Sequence, residues 1–141
     1  MALNHTYLSS ATVGLSLLAS TASADLTATD VWSDWRGYLE GLGYAVTATQ
    51  STDGSTLSVS DIEIQSSDGP NVRPMVMRIG GLQFVENADG SVDVVMAERM
   101  PMAIVLAPDG DAPSVEMNVE YAQSGHQMTV SGDASAMTYD Y

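Results

Sequence analysis

Two residue types are missing altogether: the sequence holds no cysteine and no lysine. Without cysteine there are no disulfides, no thiolate zinc site, no cysteine nucleophile and no lipidated N-terminal cysteine. Four arginines stand against eighteen acids, and the net charge is −14. A chain so short of cations does not neutralise a phosphate backbone, which excludes nucleic acid as a partner. Anionic membrane surfaces repel it as well. The same self-repulsion keeps a small domain soluble, and salt screens it, which points to a saline habitat. Aromatic residues are few, with one Phe, two Trp and six Tyr. Apolar runs are short: the longest near the N-terminus, Ala11 to Ser20, covers ten residues where a membrane span needs about 20.

That run has another reading. No acid, lysine or arginine occurs in residues 1–24, and the run leads into Thr21-Ala22-Ser23-Ala24 ahead of Asp25. An apolar core followed by a small-residue site is the layout of a secretory signal, with cleavage expected between Ala24 and Asp25. The only positive charge before the run comes from the amino terminus and His5. The expected location is periplasmic or secreted, in a bacterium, with no transmembrane span. Residues 25–141 then form one domain, long enough to bury roughly two-thirds of its unfolded surface.

One helix is expected, from Thr27 to Gly43. Val31, Trp35, Leu39 and Leu42 make one apolar stripe, which Trp32 and Tyr38 widen. Thr27 or Thr29 caps its start, Asp30 and Asp34 suit the positive end of the dipole, and Gly41 and Gly43 stop it. Beyond Gly43 the period changes to two. Strands are expected at Tyr44–Gln50, Thr56–Gln65, Arg73–Val85, Val92–Met100, Met102–Ala107, Ser114–Ala122 and His126–Ser131, with a last one beginning at Met137. Two of them change phase. Leu57 and Val59 have one parity, Ile62 and Ile64 the other, so a bulge is expected near Ser60-Asp61. Gly80-Gly81 breaks the third run, and Pro101 marks the joint between the fourth and fifth. Val115, Met117, Val119 and Tyr121 alternate with Glu116, Asn118 and Glu120, which predicts one dry and one wet face. Asp-Gly pairs at 53–54, 68–69, 89–90 and 109–110 read as hairpin turns. The fold class is therefore mainly β (α+β): an N-terminal amphipathic helix followed by a curled antiparallel meander of seven or eight strands. The last run stops at Tyr141 without a polar tail, as in a chain cut inside a larger sheet.

Three segments together resemble a known family: Asp30-Val31-Trp32-Ser33-Asp34-Trp35, Glu86-Asn87-Ala88-Asp89-Gly90-Ser91-Val92, and Ser131-Gly132-Asp133-Ala134-Ser135-Ala136-Met137-Thr138-Tyr139-Asp140-Tyr141. With the leader before them, they are similar to the N-terminal portion of an uncharacterised alphaproteobacterial secreted family, domain of unknown function twenty-one twenty-five. The resemblance spans most of residues 25–141, and its members continue past the last segment. It implies an exported location and a strand-rich fold. It brings no established activity, and no functional residue carries over.

Chemistry-bearing constellations are sparse. His126 is the one histidine beyond the leader, and Ser124-Gly125-His126 lacks the Gly-x-Ser-x-Gly elbow of a serine hydrolase. Asp61/Glu63 and Glu116/Glu120 read as solvated strand faces rather than a tuned acid–base pair. Asn87-Ala88-Asp89-Gly90 and Asp109-Gly110-Asp111 lack the spacing of a calcium loop, and turn formation accounts for them. No enzyme and no cofactor is expected.

Methionine is the unusual component, with nine in the chain and eight of them beyond Met1. Met75-x-Met77, Met100-x-Met102 and His126-x-Met128 place soft ligands on one strand face, as Cu(I) sites do. Their shared parity with Val, Ile and Tyr favours packing instead. More apolar residues lie on the strands than one short helix covers. The leading expectation is a binding module. Trp32, Trp35, Met75, Met77, Met117, Val119 and Met128 would form a hydrophobic face sheltering a lipid or similar ligand, with the Trp32/Trp35 helix as its lid. The alternative is an assembly domain whose sheet edge pairs with a protein partner, a second copy in a homodimer, or the rest of a longer chain.

Overall fold

The computed structural model describes residues 25–66, 74–108, 113–125 and 127–141. The residues before Asp25, the Asp68-Gly69 and Asp109-Gly110 turns, and His126 lie outside them.

Helix α1 spans Ala28–Gly41. Thr27 caps it: its hydroxyl accepts the Asp30 N–H, and the Asp30 carboxylate accepts the Thr27 N–H. A second cap comes from far along the chain, where Glu86 Oε1 accepts the Ala28 N–H at 2.9 Å. Gly43 adopts φ +91° just past the end, the left-handed exit that glycine takes without strain.

Nine antiparallel strands follow in one open sheet: β1 (Tyr44–Asp53), β2 (Thr56–Ser66), β3 (Met75–Ile79), β4 (Leu82–Glu86), β5 (Val92–Met96), β6 (Arg99–Leu106), β7 (Val115–Ala122), β8 (Met128–Asp133) and β9 (Ala136–Asp140). The fold is mainly β with one helix, as expected, and the third expected run divides at Gly80-Gly81 into β3 and β4. The fourth and fifth runs meet at Ala97-Glu98, not at Pro101. Pro101 sits inside β6, where its missing N–H falls on a position that makes no bond to β7 (below).

Strand β2 is the spine. On one side it pairs with β1 along nearly its whole length. On the other, its first half pairs with β4 and its second half with β3. The sheet thus divides beyond β2 into two arms: β4, β5, β8 and β9 continue one, while β3, β6 and β7 continue the other. The division follows a line of irregular backbone. Asp61 and Ile62 face the single Ala48 of β1, and Asp61 takes φ +51°. Gly80-Gly81 lies opposite this bulge. A Cβ on Gly80 would stand 3.0 Å from Met100 Cγ and 3.3 Å from Pro101 Cδ, a tight fit that would require these side chains to shift by a few tenths of an ångström.

The bulge has a packing consequence. One extra residue reverses the side-chain parity of β2, so Leu57, Val59, Ile62 and Ile64 all face the same way and all are buried. Leu57, Phe84, Val94 and Met128 form one cross-strand row on that face, and Val92, Val130 and Tyr139 belong to the next. Helix α1 lies over it, packing against β1, β2 and β4. Trp32 and Trp35 meet Phe84 at ring-centroid distances of 6.1 and 5.5 Å, the second edge-on. Phe84, Val31, Val92 and Val130 have no exposed surface.

Two described hairpins, β1–β2 and β4–β5, turn at the expected Asp-Gly dipeptides, the first with an offset. Gly54-Ser55, rather than Asp53-Gly54, is the two-residue loop between β1 and β2, and Gly54 at its first position has φ +57°. Between β4 and β5 the Asn87 N–H bonds the Ser91 carbonyl and the Gly90 N–H bonds the Asn87 carbonyl, with Gly90 at φ +82°. This turn also receives the start of the domain. Leu26, which is buried, donates its N–H to the Gly90 carbonyl at 3.3 Å.

Candidate functional site

The expected face residues fall into two groups. Trp32 and Met128 are buried in the core beneath α1, and Trp35 is half-buried beside them. The Trp32 Nε1 is buried with no acceptor among the described residues. Met75, Met77, Met117 and Val119 lie on the other arm. The helix is therefore a cover for β1, β2 and β4 and not a lid over the methionine face.

The second arm carries the candidate site. Its strands hold two long apolar rows on the core-facing side. Ile64, Met77, Ile104 and Met117 are successive cross-strand partners, as are Ile62, Ile79, Met102 and Val119. Burial decays along each row with distance from the helix. Ile64 is 8% exposed, Met77 and Ile104 are intermediate, and Met117 is 44% exposed. Ile62 begins its row at 3% and Val119 ends it at 48%. Val115 and Tyr121 are exposed too, so the face of β7 expected to be dry is in contact with water. Its alternation follows the pleat, but β7 lies beyond the reach of α1.

All eight residues of β7 are exposed, and among the described residues β7 pairs only with β6. Its backbone direction follows from Pro101. The Pro101 carbonyl accepts the Gly80 N–H at 3.1 Å, and the Ala107 N–H bonds the Pro74 carbonyl, so odd-numbered residues of β6 point toward β3. Their partners on β7, Glu116, Asn118, Glu120 and Ala122, then form the non-bonded pairs of the antiparallel ladder. The N–H and C=O groups of these four residues point away from β6, along the open edge. Val115, Met117, Val119 and Tyr121 bond back to β6. Natural sheet edges are usually protected by proline, lysine, bulges or short length. β7 is eight residues long, continuous in register with β6, and free of proline and lysine.

The opposite side of this arm is polar. Arg78 donates to Glu63 at 2.9 Å, and Arg99 donates to Glu120 at 2.6 Å. The Gln65 side-chain amide and Arg78 hold the Glu63 carboxyl below its ordinary range. A shallow depression of about 720 Å³ opens here between Asp61, Arg78, Pro101, Asn118 and Glu120. A second, more apolar groove of about 850 Å³ runs between α1 and β9, beside Asp34, Trp35, Tyr38, Leu39 and Tyr139. In it the Tyr139 hydroxyl donates to Asp34 Oδ2 at 2.8 Å and fastens β9 to the helix.

Of the other sequence candidates that fall among the described residues, Asp89 closes a turn. Asp89 accepts the Ser91 N–H at 3.0 Å and its hydroxyl at 2.6 Å, which closes the β4–β5 turn and lowers the Asp89 pKa. Asp133 and Ser135 repeat the arrangement between β8 and β9. Among the described residues no cluster of three or more His, Asp or Glu is disposed to hold a metal ion. Among them, too, no helix is long and apolar enough to cross a membrane.

The candidate face drawn from sequence holds Met75, Met77, Met117 and Val119 but not their row partners Met102 and Ile104, nor Val115 and Tyr121, although the alternation puts Val115 and Tyr121 on the same face of one strand. The signal that joins them is Pro101: read inside a strand rather than between two, it brings Met100, Met102, Ile104 and Leu106 onto one face. No family model, curated protein or solved structure matches the chain.

Proposed function

We propose that this chain is an exported, non-enzymatic docking module that captures a partner by strand addition at the β7 edge. The observation that carries the reading is the coincidence, on one strand, of an open hydrogen-bonding edge and an uncovered apolar face. Strand addition uses both: main-chain bonds supply affinity, and alternate side chains supply selectivity. The apolar contribution would come from Val115, Met117, Val119 and Tyr121 at ~25 cal/mol per Å² buried, before ordering costs. An exposed apolar surface of this kind favours an interaction site over free-standing packing. Sheltering of a single lipid is the weaker reading, because the most exposed part of the face lies on β7, beside a ready-made edge. Export rests on the leader pattern of residues 1–24, and the resemblance to the secreted family is in keeping with it.

The test is a titration of the chain, purified after export from a bacterial host, with a nine-residue peptide alternating valine and threonine. Mass spectrometry is expected to show a mature chain beginning at Asp25. Fluorescence anisotropy is expected to show saturable binding that Asn118→Pro abolishes, since that variant removes one outward N–H. Binding unaffected by Asn118→Pro, or confined to the β1 or β9 edge, would overturn the reading.

A further inference from the structure

The polar side of β7 narrows the partner. Residues that pair across a strand edge share a face, so whatever docks on β7 places alternate side chains opposite Glu116, Asn118 and Glu120. The rest of its side chains extend the Val115, Met117, Val119 and Tyr121 face. Charge decides what the first set can be. Among the described residues the three arginines are already engaged, Arg36 with Glu40, Arg78 with Glu63 and Arg99 with Glu120. Among the described residues Glu116 has only the Asn118 amide, at 3.4 Å. The surrounding chain carries fourteen net negative charges.

A second copy fits this edge badly. A two-fold antiparallel pairing centred on Asn118 sets Glu116 of each copy opposite Glu120 of the other. Like charges directly opposed across a ladder are destabilising, and the described arginines bring no uncommitted cation to offset them. We infer that the β7 edge is built for a different chain: a strand that alternates apolar residues with lysine or arginine. This rests on the docking reading above and adds the sign of the partner's charge. On this reading the same glutamates disfavour self-pairing at an edge that has no proline or lysine. The two glutamates reject acidic strands, this chain's own included, while admitting basic ones.

Three nine-residue peptides separate the two claims, with valine alternating with lysine, with threonine or with glutamate. The chain used is the full exported protein. The lysine peptide is expected to bind about three- to tenfold more tightly than the threonine peptide at low salt, the scale of one or two exposed ion pairs. The glutamate peptide is expected not to bind. Glu116→Gln is expected to reduce the lysine preference, read as the ratio of lysine- to threonine-peptide affinity, about two- to threefold. High salt should shrink the same preference. Equal binding of lysine and threonine peptides would overturn the charge inference and leave edge docking standing. Absence of binding by all three, with Asn118→Pro indistinguishable from the parent, would overturn both. Sedimentation is expected to show a monomer at high protein concentration, and a dimer abolished by Asn118→Pro would assign the edge to a second copy instead.

Discussion

Pro101 on β6 faces Glu120 on β7, and the Pro101 carbonyl points the other way, to the Gly80 N–H 3.1 Å distant. This pair sets the hydrogen-bonding phase of the whole outer ladder. Because Pro101 needs no bond from β7, Glu120 needs none from β6, and the phase repeats at Asn118 and Glu116. The same proline that looks in sequence like a strand breaker therefore marks which residues of β7, Glu116, Asn118, Glu120 and Ala122, offer their backbone to a partner.

Two proline substitutions one residue apart should behave differently. Asn118→Pro removes an edge-facing N–H and should leave the fold intact. Met117→Pro removes an N–H bonded to β6 and should cost at least about 1 kcal/mol more. Urea unfolding of both variants measures the difference. Equal losses would mean that the ladder phase is misassigned.

Truncations should separate the two arms. Phe84 is fully buried against Trp32 and Trp35, so Phe84→Ala should cost about 3–5 kcal/mol. Met117 is 44% exposed, and Met117→Ala should cost less than about 1 kcal/mol. Denaturant midpoints report both. A large loss at Met117 would show that the outer face is covered in solution.

Asp61 tests the division of the sheet. Its φ of +51° suits Asp better than most residues and glycine best. Asp61→Gly should change stability by less than about 1 kcal/mol, whereas Asp61→Val should lose about 1–2 kcal/mol. Thermal unfolding of the two variants is the measurement. Tolerance of valine would argue that the bulge is not what aligns Leu57 and Ile62 on one face.

Much of this architecture was legible from local pattern alone. The Thr27 cap, the Gly43 exit, and the phase slip between Val59 and Ile62 each have a backbone cause that the neighbouring residues reveal. What the pattern does not reveal is cover. Val115-x-Met117-x-Val119 and Met128-x-Val130 look alike in sequence, because alternation reports the pleat and not the layer above it. Met128 is 8% exposed and Met117 44%, and the difference lies in where β8 and β7 sit relative to α1. The Glu86 contact to the helix start and the Tyr139–Asp34 bond were hidden for a similar reason. Each joins segments far apart in the chain, with no local signature.

Stability should respond to alkali through Tyr139. Burial first, and the hydrogen bond to Asp34 second, raise its pKa from 10.0 to about 12. The neutral phenol is the form that the fold favours. Its contribution is complete below pH 10 and is lost as the pH climbs toward 12. Tyr139→Phe should flatten that decline, as read from melting temperature against pH. At the acid end Asp89 and Asp133 act in the opposite sense. Their lowered values give stability that is present above the ordinary aspartate range and lost as the pH falls through the lowered pKa.

The most direct test of β7 as a docking edge is residue-resolved amide hydrogen exchange, with and without the valine–lysine peptide. In the free protein the amides of Glu116, Asn118 and Glu120 should exchange rapidly, while those of Met117 and Val119 are slowed by their bonds to β6. With peptide present, the three fast amides should become protected and the β1 and β9 edges should stay unchanged. Uniform protection along β7 in the free chain, or peptide-induced protection at another edge, would contradict the account.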